Sequence, residues 1–325
     1  MTLLGTGAAE PGAPTLAGRK GRGDTISRLV TSTAGVFVLV LLAAIAIFLV
    51  IKAIPAISKD STSFWGTKLW QPDAEKPTFG VAAIAFGTIE TAVIALVIAW
   101  PVAMAVALFV AEYAPRRLAT VMGYLLDLLA AVPSVVYGLW GLLWLVPRMK
   151  GIQGWMGHHL SWIPLFKDRY AGLPTRSPFV VGVVLAIMIL PIISAIMREI
   201  VVQADPAQKE AALALGATHW EMIRMAVLPP SKSGIIGATI LGLGRALGET
   251  IAVALIMASS FVINWHILEQ GGNTIAANIA VQFGEANATG RSALIASGLV
   301  LFAITLIVNF AARLVISRGN KGRAA

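Results

Sequence analysis

Six long apolar segments constrain the fold of this chain more than any other feature of its sequence. About 20 consecutive apolar residues suffice for a helix to cross the hydrocarbon core of a bilayer. The hydrophobic share is 57% and the charged share 13%, whereas soluble proteins average about 45–50% and 25%. We therefore predict an all-α integral membrane protein with six transmembrane helices. The predicted spans are 29–51, 80–111, 118–146, 178–197, 235–263 and 293–316.

The charge distribution predicts how these spans are oriented. Of the 25 Lys and Arg residues, 14 fall on the side that holds both termini and the polar loop 198–234, and ten on the opposite side. Because basic residues accumulate on the cytoplasmic side of membrane proteins, we expect both termini and the polar loop in the cytoplasm. This bias accounts for the net charge of +9, so the charge does not indicate binding to nucleic acid. Residues 1–28 are predicted to be a disordered cytoplasmic tail, 29–316 the membrane domain, and 317–325 a cytoplasmic tail.

Several kinds of chemistry are excluded by composition. The chain has no cysteine, which rules out disulfides, thiol nucleophiles and Cys-ligated metals. No His/Glu spacing indicates a metal site, and no cofactor motif is present. The sequence lacks the Gly-x-x-x-x-Gly-Lys-Ser/Thr loop that binds nucleotide phosphates. We therefore expect that the chain is not an enzyme and that it does not itself hydrolyse ATP.

The polar loop 198–234 carries signals for two short helices joined by a sharp turn. Asp205 and the proline after it are typical of a helix start. Gly216 can end that helix in a left-handed conformation, and Thr218 begins the second in a capping-box pattern. Pro229-Pro230 are expected to stop it. Such a self-capped element between spans is suited to contact a partner outside the membrane.

Arg245 and Glu249 are the most informative charges inside the predicted spans. Their four-residue spacing would place them on one helical face, where they could neutralise each other. Two interpretations stand: an ion pair that fixes helix packing, or a cation on an anion pathway. A guanidinium suits phosphate because its donors form a fixed fork. Gly244 and Gly248 form a small-xxx-small pattern that would permit close approach of another helix.

Asp127 and Glu90 also fall inside predicted spans. An ionised side chain at the bilayer centre costs about 2.5–3.5 kcal/mol on insertion scales, so such residues usually face protein or a wet pathway. Each acid is either a pathway group or a buried structural acid bonded to a neighbouring helix. Pro133, shortly after Asp127, is expected to kink or interrupt the third span.

The polar loop resembles the EAA loop of ABC importer permeases. The resemblance rests on Glu210-Ala211-Ala212, Gly216 and Leu228-Pro229, although Ala226 stands where that family often has a β-branched residue. In that family the loop docks into a cleft of a separate ATPase subunit. The resemblance implies that these loop residues couple the chain to an ATPase.

Two further segments are similar to the PstC family of phosphate permease subunits, namely 242–253 around Arg245 and 129–141 around Pro133 and Tyr137. This resemblance implies a type I importer permease fold in a bacterial inner membrane. It also implies four kinds of partner: a PstA-like second permease, two ABC ATPase subunits, an outer phosphate-binding protein and the lipid bilayer. The implied function is inward passage of inorganic phosphate by alternating access, with Arg245 and Glu249 in the anion path.

Two alternatives remain open from the residues alone. One is a permease of the same fold for another oxyanion, such as sulfate or molybdate. The other is a gradient-driven transporter that uses Glu90, Asp127 or Glu249 as a proton site, although such a transporter would have no ATPase for the polar loop to contact.

Overall fold

The computed structural model describes residues 22–167 and 176–321, with side chains up to Leu314. Most of the predicted tail 1–28, and the last residues 322–325, lie outside the described part. The chain is mostly helical there, as predicted. The helices are α1 (Arg22–Ile57), α2 (Ala82–Leu108), α3 (Arg116–Ala130), α4 (Ser134–Trp140), α5 (Val146–His159), α6 (Pro178–Val202), α7 (Pro206–Ala214), α8 (His219–Met222), α9 (Leu228–Leu247), α10 (Ile251–Ile256), α11 (Ile275–Gln282) and α12 (Ala288–Lys321).

Within these ranges, five segments are long and apolar enough to cross a membrane, and a sixth is a bent helix pair. The pair joins α3 to the continuous segment Ser134–His159 at an angle of 87°. The predicted third span is therefore not one straight helix. The bend falls at Ala131–Pro133, where proline lacks the amide that would continue the helix. The five straight segments are Thr25–Ile57, Ala82–Tyr113, Pro178–Val202, His219–Leu247 and Ala288–Leu314.

The fifth span lies earlier in the chain than the predicted 235–263. It begins at His219 and ends at Leu247. The expected stop at Pro229-Pro230 is wrong, because a π-helical turn at Ile223–Val227 leads directly into α9. The two prolines lie in the first turn of α9, where a missing amide is tolerated. Beyond the short helix α10, the chain runs without regular structure until α11.

A stripe of alanines on α2 forms the centre of the helix packing. Ala95, Ala99, Ala103 and Ala107 recur every fourth residue, and each is fully buried. They form one core with the buried aliphatic side chains of α6, among them Ile189. Residues four apart share one face of a helix, and small side chains let two helices approach closely. This packing makes α2 and α6 the frame on which α9 lies.

Two compact units divide the chain after Phe48. In the first unit, the described residues are the N-terminal part of α1, whose apolar side chains are largely exposed. The second unit holds all the other elements. It includes one departure from the all-α expectation, a two-stranded antiparallel ribbon of β1 (Trp70–Gln71) and β2 (Thr78–Phe79).

Candidate anion pathway and coupling surface

Arg245 opens onto a cavity between three helices. It lies two residues before the end of α9 and is exposed in the single chain. The cavity measures about 800 Å³ and is formed by α6, α9 and α12. Aliphatic residues and glycines make up most of its wall, and no ion pair of the Arg245 guanidinium is seen among the described residues. The lining residues are Ile192, Gly237, Ile240, Leu241, Gly244, Arg245, Asn309 and Arg313.

Glu249 does not pair with Arg245 in the described structure. Helix α9 ends at Leu247, so the two residues do not share the face that four-residue spacing gives within one helix. The Gly248 amide makes the last helical bond, to the Gly244 carbonyl at 3.2 Å. The Glu249 carboxylate is instead buried and accepts a hydrogen bond from the Ala252 amide at 3.2 Å. The Glu249 carboxylate therefore bonds to the first turn of α10 and does not neutralise the charge of Arg245.

The two segments that resemble phosphate permeases meet beside this break. Gly138 on α4 packs closely against Ala252 on α10. The Tyr137 hydroxyl donates a hydrogen bond to the Leu129 carbonyl at 2.9 Å and so joins α4 to the end of α3. The helix break on one side and the bend at Pro133 on the other therefore border the same region.

Arg313 and Asn309 are pathway candidates that the sequence analysis missed. Both lie on α12 and line the cavity together with Arg245. Arg313 lies near the end of the predicted span 293–316, where a basic residue is common and does not by itself indicate a site. The signal that could have found them is their four-residue spacing, which puts an amide and a guanidinium on one helical face.

Glu90 and Asp127 lie apart from this cavity. Glu90 on α2 lines a separate cavity of about 310 Å³ with Asn264, His266 and Glu269. One Glu90 carboxylate oxygen is buried and has no hydrogen-bond partner among the described residues. Asp127 is exposed on α3. Among the described residues, neither acid shows the bond to a neighbouring helix that a structural acid would make.

The close helix approach expected at Gly244 and Gly248 occurs instead at other glycines. A side chain at Gly242 would collide with Ile193 on α6, and one at Gly234 with Ile200. Gly244 has open space in this chain, because it faces the cavity. The glycines of α9 therefore lie on two faces of the helix. Gly234 and Gly242 pack on α6, and Gly244 leaves space beside Arg245.

From Asp205 to Glu221, the polar loop folds as its local signals predict. The Asp205 carboxylate accepts a hydrogen bond from the Ala207 amide at 2.9 Å and starts α7. Gly216 adopts φ +85°, the left-handed conformation that favours glycine. Thr218 and Glu221 form the predicted capping box at the start of α8.

The residues that resemble the EAA loop divide into an outer and an inner group. Glu210, Ala211 and Gly216 are exposed, whereas Ala212, Leu228 and Pro229 are half-buried. Leu215, one residue before the turn, is 90% exposed.

Two contacts tie the polar loop to the end of the second span. The Lys209 ammonium lies 2.6 Å from the Glu112 carboxylate, and the Glu112 side chain is only 6% exposed. The rings of His219 and Tyr113 meet edge to face with centroids 4.8 Å apart. Both contacts reach the π-helical turn Phe109–Tyr113 that continues α2. These contacts join the polar loop to the end of the helix that packs on α6.

Comparison with known proteins identifies the family. Residues 103–320 match the family described as binding-protein-dependent transport system inner membrane component. The chain belongs to this permease family. The expected membership and the expectation of a transport subunit rather than an enzyme are thereby confirmed.

Relatives within the family resemble the chain over most of its length. A protein of Mycobacterium tuberculosis named phosphate transport system permease protein PstC 2 is 42% identical and covers 90% of this chain and 92% of its own. The PstC protein of Xylella fastidiosa is 41% identical over 98% and 97%. That of Haemophilus influenzae is 38% identical over 91% and 93%. These values place the chain in the PstC group of the permease family.

A solved structure supports the fold. The inward-facing MetNI methionine ABC transporter matches with a TM-score of 0.51 at 15% identity, over 73% of this chain and 96% of the matched chain. At that identity the match bears on the fold alone. The predicted type I ABC importer permease fold is confirmed, and the chain is the membrane permease of an ABC importer system.

Proposed function

We propose that this chain conducts inorganic phosphate inward as one permease subunit of an ATP-driven importer. The observation that carries the proposal is Arg245, a guanidinium without an ion-pair partner in the described structure, which opens onto a cavity of about 800 Å³. A cation at membrane depth is stable only if protein, water or a passing anion compensates it. The relatives named phosphate permeases support phosphate as that anion.

The proposed energy source is ATP hydrolysis by two separate ATPase subunits. The polar loop supports this part of the proposal, because its tip is exposed and its base is bonded to α2 through Lys209 and Glu112. We assign contact with the ATPase to Glu210, Ala211 and Gly216 on the outside of the loop. Leu228 and Pro229 hold the loop against the membrane domain.

The proposed mechanism is alternating access. Approach of the two ATPase subunits moves the polar loops, and α9 follows because the loop continues into it without interruption. The break at Gly248–Thr250 lets α9 move relative to α10. Arg245 thereby faces the outer side, where a phosphate-binding protein delivers its ligand, and then the cytoplasm. A PstA-like second permease completes the path across the bilayer of a bacterial inner membrane.

Arg245 itself provides the test. The complex is purified through this chain and reconstituted, and ATP-dependent uptake of labelled phosphate is measured. Arg245→Gln should lower uptake about 10- to 100-fold, because charged hydrogen bonds contribute about 1.5–3 kcal/mol. Arg245→Lys should recover part of it, since lysine keeps the charge without the fork. Lys232→Gln, which removes an exposed charge outside the cavity, is the matched control.

Three results would contradict the proposal. Uptake of sulfate or molybdate in preference to phosphate would favour another oxyanion. Uptake driven by an ion gradient without ATP would favour a secondary transporter. Recovery of uptake in the double variant Arg245→Gln with Glu249→Gln would assign the two charges a purely structural pairing, which the geometry of α10 argues against.

A further inference from the structure

We infer that Arg313 and Asn309 form a second anion contact on the cytoplasmic side of Arg245, through which the same phosphate is released. The inference rests on the proposed function and extends it to a helix that carries neither of the two resembling segments. Its basis is that one cavity collects its polar side chains from two helices, Arg245 from α9 and the other two from α12.

The separation of the lining residues along α9 and α12 indicates how long the cavity is. Gly237 and Arg245 are eight residues apart on α9, which corresponds to about 12 Å along a helix. Asn309 and Arg313 are four residues apart on α12, about one helical turn, and both face the same space. An anion within the cavity therefore has guanidiniums available at two positions, with an amide donor one turn from the second.

The charge balance of the cavity favours an anion. None of the described residues that line it is acidic. Arg245 and Arg313 are both exposed to it, and no ion pair engages either one in the described part of the chain. Two guanidiniums that share an apolar-walled space repel each other, and a multiply charged oxyanion between them relieves that repulsion while it satisfies several donors.

The order of the two contacts follows from where each helix ends. Arg313 lies eight residues before the end of α12, the last helix before the C-terminus, whereas Arg245 lies 17 residues beyond the start of α9. With the C-terminus and the polar loop on the cytoplasmic side, Arg245 is the deeper group and Arg313 the one nearer the cytoplasm. Phosphate that moves inward meets Arg245 first.

The competing explanation is that Arg313 only extends its charge to the membrane surface, as bases near helix ends commonly do. Uptake by reconstituted variants separates the two. Arg313→Gln should lower uptake about tenfold, the loss expected for one charged hydrogen bond, in complexes that assemble normally. Wild-type uptake by Arg313→Gln, or a loss that only follows reduced assembly, would overturn the inference. The proposed function would stand in that case if Arg245→Gln still lowered uptake about 10- to 100-fold.

A chemical probe gives a readout that surface anchoring would not change. The native chain has no cysteine, so Asn309→Cys introduces a single reactive site into the cavity. A negatively charged thiol reagent should label it faster than a positively charged one, and inorganic phosphate should slow the labelling. Adding Arg313→Gln should reduce both effects. Phe310→Cys, exposed on the same turn but outside the cavity lining, is the matched control. Labelling of Asn309→Cys that phosphate leaves unchanged would overturn the inference.

Discussion

At the scale of single residues, the geometry of Glu249 shows how a local break changes a role. Its distance in sequence from Arg245 indicates a pair, but that argument assumes that one helix continues through both. Gly248 and Thr250 interrupt the helix, and the Thr250 hydroxyl donates to the Gly248 carbonyl at 3.1 Å. The carboxylate then binds the amide of Ala252 at the start of α10. The apolar residues before and after the break would equally suit one continuous span, so the pattern of 235–263 did not predict it.

Gly216 is a residue whose backbone conformation the sequence did predict. A side chain there would meet no atom within 4 Å, so only the backbone angle of φ +85° limits substitution. Left-handed geometry costs a residue with a Cβ about 1–2 kcal/mol. We expect Gly216→Val to keep insertion in the membrane but to reduce phosphate-stimulated ATP hydrolysis in the complex. Gly216→Asn should retain most of it, because asparagine tolerates this conformation. Equal activity of the two variants and wild type would show that the turn geometry does not matter for coupling.

At the scale of helices, local signals predicted the polar loop better than the spans around it. The caps at Asp205 and Thr218 depend on bonds within a few residues, so the sequence contains all the information needed. The prolines at 229 and 230 do not stop the helix as predicted, because they lie in the first turn of α9, directly after the π-helical turn at Ile223–Val227. The cavity could not be predicted either, because it depends on how α12 lies against α9. Long-range packing of that kind leaves no periodic signal in the chain.

The contact between α7 and the end of the second span carries a prediction of its own. The Glu112 side chain is almost fully buried against Lys209, and removal of one partner from a buried pair costs about 3 kcal/mol. Lys209→Glu should therefore uncouple ATP hydrolysis from phosphate uptake. The double variant Lys209→Glu with Glu112→Lys should restore much of the coupling.

The control for this pair is an exposed one. Glu199 is 63% exposed in its ion pair with Arg198, and exposed pairs contribute less than about 1 kcal/mol. Glu199→Gln should leave uptake per ATP unchanged. If the reversed pair failed to restore coupling while Glu199→Gln behaved as wild type, the Lys209–Glu112 contact would hold the loop in place without transmitting its movement.

At the scale of the whole molecule, the single chain exposes charged side chains within its predicted membrane spans. Arg245 and Asp127 are both exposed although each lies in a predicted span, and a charge in contact with lipid is costly. A second protein surface over these groups would resolve the conflict. This agrees with the proposed heteromeric importer, in which a companion permease closes the path. Composition alone indicates a membrane protein, but it does not reveal the partner surface that would cover these charges.

The orientation of the molecule is the last prediction, and it decides whether Arg313 faces the cytoplasm. A chain without cysteine allows single sites to be labelled cleanly with an impermeant thiol reagent in intact spheroplasts. His158 and Gln208 are both exposed and fall on opposite predicted sides. We expect His158→Cys to be labelled from outside and Gln208→Cys only after permeabilisation. Gln153, on the same predicted side as His158, would be a poor reporter, because it is buried and donates a hydrogen bond to Ser177 at 2.7 Å.

The opposite topology would be shown by labelling of Gln208→Cys in intact spheroplasts together with protection of His158→Cys. Arg313 would then lie on the outer side of Arg245, as an entry contact rather than an exit.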